Sequence, residues 1–290
     1  MAGLIMIATG CRQNDESMEK LKKNIEAELQ IPGATIAVAF KNIETGEALY
    51  INERTEFHAA STMKTPVLIE LYKQAEAGKI SLEDSITVEN KFKSIVDGSF
   101  FELDPADDSE KELYKKAGEK ESIGRLAYEM IIRSSNLATN LLIELVSPGE
   151  IMNTMHELGV HNLKVLRGVE DNKAFQKGMN NVTNAADLAK LFELMAGGQL
   201  ISPRASNEMI QILLDQQFKE IIPAGLPADV KVAHKTGSIT GIQHDSGIVL
   251  LPDGRKYVLV LLSRFDPNDE QKVITALAKI SSIIYQHVTR

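Results

Sequence analysis

Strand-like apolar runs stand near the two ends of this chain and are missing from its middle, and that separation constrains the fold more than any other feature. Ala34–Phe40 (ATIAVAF) is a short, nearly continuous apolar run that suits a buried strand. Glu47–Asn52 follows it after the turn residues Asn42–Gly46, so a β-hairpin is expected there. Three further strands are expected at Val230–His234, Ser246–Leu251 and Tyr257–Ser263, with Pro252-Asp253-Gly254 as the turn between the last two.

The stretch between these two groups has helical spacing instead. Helices are expected over Thr62–Glu76, over Ser122–Val146 as two pieces meeting near Arg133–Asn136, and over Glu150–Leu158, Ala185–Met195 and Pro203–Leu214. Amphipathic helices at Met18–Leu29 and Glu270–Val288 bracket the whole, the first stopped by Pro32 and Gly33. Residues 90–121 are acidic and turn-rich and read as an exposed excursion, and residues 167–183 read as a loop. There is no internal repeat and no Pro/Gly linker.

A helical block inserted into one antiparallel sheet explains this order. The expected fold is α+β, a five-stranded antiparallel sheet flanked by the terminal helices, with an inserted all-helical lobe. The α/β lobe would take about residues 18–60 and 215–290 and the helical lobe about 61–214, with one cleft between them.

Charge narrows the ligand. Against 32 Lys and Arg stand 40 Asp and Glu, a net charge of −8, which argues against binding a nucleic-acid backbone. Tryptophan is absent and aromatics make up 5%, so stacking platforms are poorly supplied. A small-molecule substrate handled by a monomer is the expectation. The six histidines show no metal-ligand spacing, and no metal or other cofactor is expected.

The single cysteine, Cys11, closes a short apolar run through Ala8-Thr9-Gly10, far too short to span a bilayer. The run is similar to a bacterial lipoprotein cleavage box, although a basic stretch before it is missing. The expectation is an exported protein in the periplasm or at the cell surface, lipid-anchored through Cys11. Residues 1–17 would be signal and tether, with the polar residues 12–17 as the tether.

Three short motifs carry chemistry. Ser61-Thr62-Met63-Lys64 places a serine and a lysine three residues apart, on one helix face. A serine is a weak nucleophile until a base takes its proton, and a lysine whose pKa is depressed by burial can be that base. Ser134-Ser135-Asn136 puts a hydroxyl and an amide at a helix junction. Lys235-Thr236-Gly237 puts a cation and a hydroxyl on a strand, with Gly237 expected to let a ligand backbone approach. Each alone reads equally well as a cap or a surface pair.

Together, in this order and on these elements, they resemble the serine penicillin-recognising enzymes, and class A β-lactamases most closely. The resemblance covers about residues 20–290. It implies a serine hydrolase that opens a β-lactam amide through an acyl-enzyme on Ser61. Lys64 is then the proton acceptor and Ser134 a proton shuttle. Asn136 contacts the substrate amide, Lys235 and Thr236 hold its carboxylate, and the backbone N–H groups of Ser61 and Ser238 form the oxyanion hole. Glu170, 170 − 134 = 36 residues beyond Ser134, is the expected activator of the deacylating water. The same motifs also serve D,D-peptidases and esterases acting on cell-wall peptides, and penicillin or cell-wall-peptide binders that do not turn over.

The chain departs from the class A pattern in several places. The Glu170 loop is shorter than usual, Ala174 stands where an Asn is expected, and the nearest Asn is Asn172. Asn180 or Asn181 replaces the acidic partner expected for Arg167, so no Arg–carboxylate pair is expected to close the loop. Ser135 replaces the usual Asp of the second motif. The substrate-binding Arg expected on the strand after the third motif is absent. Position 235 + 10 = 245 is Asp245, which would repel a substrate carboxylate unless Arg264 compensates. The excursion at 90–121 is expected to form a rim over the cleft. His234 should face away from the cleft by strand alternation.

Overall fold

The computed structural model describes residues 5–290, with side chains from Glu16 onward. The Cys11 thiol and the residues before Ile5, on which the export and lipidation expectations fall, lie outside the described residues. The first helix, α1, runs Ile5–Glu28. It continues through residues 12–17, expected as a tether, because that polar stretch contains neither Pro nor Gly to stop it. Among the described residues no helix is long and apolar enough to cross a membrane.

Strands β1 (Thr35–Asn42) and β2 (Ala48–Ile51) form the first hairpin. Helices α2 (Lys64–Glu76), α3 (Ile123–Ile132), α4 (Asn136–Val146), α5 (Pro148–Glu157), α6 (Asn172–Gln176), α7 (Ala185–Ala196) and α8 (Pro203–Leu214) follow. Strands β3 (Lys231–Ile239), β4 (Ile242–Leu250) and β5 (Lys256–Arg264) and helix α9 (Glu270–Val288) complete the chain. The five strands make one antiparallel sheet in the order β2-β1-β5-β4-β3, which leaves β3, the strand of the third motif, at an edge.

Both faces of the sheet are covered, which explains why its strands read as continuous apolar runs. On β1, Ile36, Val38 and Phe40 pack with Leu21 and Ile25 of α1 and Leu277, Ile280 and Ile284 of α9. The alternate residues Ala37 and Ala39 join the core of the helical lobe, with Leu188 and Leu191 of α7 and Leu68 of α2. The two terminal helices thus cover one face and the inserted helices meet the other. Each fully buried Leu or Ile contributes about 1.5–3 kcal/mol relative to exposure.

β3 and β4 are longer than the apolar pattern implies. Pairing continues past His234 through the third motif, with Lys235 opposite Ser246 and Gly237 opposite His244, and the chain turns at Thr240-Gly241. The 90–121 excursion is less exposed than expected. It holds a small hairpin of Phe92–Lys93 on Phe100–Phe101, and it buries Asp108 and Glu110.

Candidate active site

A short 3-10 turn, Ala60–Met63, leads into α2 and carries Ser61 at the wall of a cavity of about 800 Å³. Ser134, Asn136, Glu170, Thr236 and Ser238 line the same cavity, so with Ser61 four separate segments of chain supply these polar groups. Asp107 and Ser109 of the excursion also line it, and the expected rim is present. Ala60, Ser134 and Glu170 all have left-handed backbone, with φ of 45°, 58° and 61°. For residues with a Cβ this conformation costs about 1 kcal/mol or more each, and such strain collects at functional sites.

Two lysines lie beneath the cavity floor, both fully buried. Lys64 Nζ donates to the Ser134 carbonyl at 2.6 Å, to Ser134 Oγ at 3.1 Å and to Asn136 Oδ1 at 3.0 Å. Lys235 Nζ donates to Ser134 Oγ at 3.1 Å and to its neighbour's carbonyl, Thr236 O, at 3.0 Å. Ser134 Oγ therefore accepts from two lysine Nζ atoms, and its own proton is left to point elsewhere. Burial lowers the Lys64 pKa to about 7, against the opposing pull of Asp108 and Glu170. Burial, then the Lys64 charge, push Lys235 well below the ordinary lysine range, while Asp245 pulls it back up.

Glu170 Oε1 accepts from Asn136 Nδ2 at 2.8 Å. One asparagine amide thus bridges the lysine and the glutamate. Burial raises the Glu170 pKa, partly offset by that hydrogen bond. The loop holding Glu170 is closed by asparagines, in line with the expectation that no Arg–carboxylate pair would do so. Arg167 donates to Met179 O and Gly168 O, and Asn181 pairs with the backbone of Arg167 in both directions. Asn140 clamps the next residue, accepting from Val169 N at 2.7 Å and donating to Val169 O at 3.1 Å. Ala174 is buried, and Asp171 caps α6.

Gly237 gives room to the nucleophile's own turn. A Cβ there would stand 3.2 Å from the backbone nitrogens of both Ser61 and Thr62. Asp245 does not face a substrate. It is buried on the sheet face turned to the terminal helices, where it accepts from Ile222 N at 3.0 Å and meets His234 Nδ1 at 2.8 Å. Strand alternation explains both Asp245 and His234: Lys235 and Gly237 point to the helical lobe and their neighbour His234 to the other side.

Other participants carried no signal in the sequence. His244 on β4 is fully buried, with its pKa lowered by burial to about 4. Ser263 N donates to its Nδ1, so Nε2 carries the proton and donates to His58 O at 3.0 Å. His58 Nδ1 in turn accepts from Ala60 N at 3.0 Å. These links tie the Ser61 turn to the sheet. Asp108 also enters the site, for which Ser135 alone gave no hint.

A buried lysine beside a serine hydroxyl, with a second serine and an edge strand completing the cleft, defines a serine acyl-transfer site. A family model described as "Beta-lactamase enzyme family" matches residues 19–288, and the chain belongs to that family. The chain is 24% identical to the extended-spectrum β-lactamase PER-1 of Pseudomonas aeruginosa, over 98% of this chain and 92% of that protein. It is 23% identical to a β-lactamase of Bacteroides uniformis, over 93% and 92%. Among solved structures, PBP-A superposes with a TM-score of 0.81 at 26% identity, covering 93% of this chain and 96% of that one. A β-lactamase from Sphaerobacter thermophilus superposes with a TM-score of 0.78 at 25% identity, covering 92% and 95%.

Proposed function

We propose that this protein is a serine β-lactamase of the class A type, acting on β-lactam amides. Ser61 Oγ attacks the lactam carbonyl as its proton passes to neutral Lys64. The C–N bond breaks, and the departing nitrogen takes a proton through Ser134, whose hydroxyl lies 3.1 Å from the Lys64 amine. Asn136 Nδ2 and Thr236 orient the substrate, and Lys235 supplies positive charge beside its carboxylate. The N–H groups of Ser61 and Ser238 receive the oxyanion. Glu170 then takes a proton from water as it attacks the ester carbonyl, the acyl C–Oγ bond breaks, and a proton returns to Ser61 Oγ, which frees the serine and leaves Glu170 ionised again.

The observation that carries this reading is the bridge from Lys64 through Asn136 to Glu170 on one cavity. It gives a base for each half of the cycle, one tuned down by burial and one tuned up. The likeness to PBP-A, a point mutant of which is solved as an acyl-enzyme complex with penicillin G, supports a second reading for this chain, a penicillin binder that acylates and is not turned over. Incubating the protein with a chromogenic cephalosporin while following product and intact mass separates the two. Sustained turnover that stops in Glu170→Gln, with the acyl-enzyme accumulating, is the expected result. Stable acylation of the wild type would sink hydrolysis and leave the binder, and no acylation would sink both in favour of a peptidase or esterase.

The position of Cys11 after a short apolar run supports export and a lipid anchor. Labelling cells with a tagged fatty acid, with Cys11→Ser as control, tests the anchor.

A further inference from the structure

Helix α4 begins with Asn136, the residue that bridges Lys64 and Glu170, so whatever fixes its first turn fixes the site. The first N–H groups of a helix have no partner within it. The cap residue Ser135 satisfies only one of them, accepting from Ala138 N at 3.2 Å. The two N–H groups before it, of Asn136 and Leu137, donate instead to Asp108 Oδ2 at 2.8 and 2.9 Å. The same oxygen accepts from Tyr114 Oη at 2.9 Å and from Ser135 Oγ at 3.4 Å, and Oδ1 accepts from Glu110 N at 2.9 Å. Asp108 is 3% exposed. A carboxylate at this helix end also opposes the positive pole of α4.

We propose that Asp108 is a positioning residue for the reaction: its carboxylate, delivered by the excursion, pins the start of α4 and supplies a negative charge opposite Lys64. The inference rests on the acyl-transfer reading of the site. The charges facing Lys64 are Asp108 and Glu170, which favour its ammonium, and the Lys64 charge in turn pushes Lys235 down. Asp104 lies beside Tyr114, Asp107 beside Glu170, and Asp245 backs Lys235.

Position 135 offers a distinctive test. Ser135 already caps α4, and its hydroxyl lies beside the Asp108 carboxylate, so a carboxylate introduced at 135 would set its charge at the same helix end, within reach of Leu137 N, one of the two N–H groups that Asp108 holds. Ser135→Asp alone sets two carboxylates against each other and slows acylation. In the Asp108→Asn background it restores what Asp108 supplied.

The experiment uses the full chain as wild type, Asp108→Asn, Ser135→Asp and the double variant. Acylation by penicillin is followed by quenched intact mass from pH 5 to 9, and Lys64 is titrated by NMR of ¹³Cε-lysine, assigned with Lys64→Arg. Asp108→Asn should lower the Lys64 midpoint by about one unit, move the acid limb of acylation with it, and slow acylation about fivefold at the plateau. The double variant should recover both. An unmoved Lys64 midpoint in Asp108→Asn, or a double variant equal to the sum of its singles, would overturn the proposal. If the wild type is never acylated, the acyl-transfer reading fails, while the Lys64 titration still decides whether Asp108 sets its charge.

Discussion

Lys64→Met keeps an unbranched side chain, one atom shorter, and removes its charge, and its effect on stability follows from where the ammonium sits. In the fold the Lys64 pKa falls from an ordinary lysine's 10.5 to about 7, chiefly by burial. Between those two values the unfolded chain binds the proton and the folded chain releases it. Stability therefore rises with pH across this window, because ∂ΔG/∂pH takes the sign of the extra protons bound by the unfolded state. Below the folded pKa the destabilisation is complete, and above 10.5 it has vanished. A site with these two pKa values costs about 4 kcal/mol of stability at pH 7 and about 2 kcal/mol at pH 9. The methionine variant lacks this dependence. It also loses the donors to Ser134 O and Asn136 Oδ1, which lowers its stability by a nearly constant amount. Relief of the Lys64–Lys235 repulsion flattens its pH dependence further. Urea unfolding at pH 7, 8 and 9, followed by circular dichroism, should show wild type gaining about 2 kcal/mol on Lys64→Met over that range. Profiles that stay parallel to within about half a kcal/mol would refute the claim that Lys64 is held neutral-prone by burial.

Two glycine substitutions probe the site's supports. Gly237→Ala brings a Cβ to 3.2 Å from the Ser61 and Thr62 nitrogens, closer than the backbone comfortably allows. Acylation should slow by about tenfold, because small misplacements of a nucleophile are costly, while the urea midpoint moves little. Gly168→Ala would put a Cβ 2.3 Å from Asn140 Oδ1 and expel the side chain that clamps Val169. Stability should fall by about 1–3 kcal/mol as Val169 N is orphaned, and deacylation, read as lifetime of the acyl-enzyme, should suffer more than acylation.

The elements most legible in the sequence were those with both a period and a stop signal. Pro203–Leu214 and Glu270–Val288 begin and end where their apolar spacing and caps imply. The third motif was harder to place. The apolar pattern ends at His234 and resumes at Ser246, yet β3 runs on to Ile239, since ladder pairing with β4 needs no apolar side chain at Thr236, Gly237 or Ser238. Ser61, Lys64, Ser134, Asn136 and Lys235 could be singled out because each motif is local, and the fold brings all of them to one site.

What the sequence determined by itself was the class of fold and the residue types at the site, because hydrophobic period and short motifs are properties of neighbouring residues. Only the tertiary structure decided what faces what. Asp245 sits at the spacing of a substrate contact but is turned to the opposite side of the sheet and buried against His234. Asp108 sits in a segment that reads as solvated loop but closes the first turn of α4, 28 residues ahead of Asn136. The reason is that charge acts through space: a carboxylate's role is set by the N–H groups and ammonium ions packed around it, and chain separation records none of them.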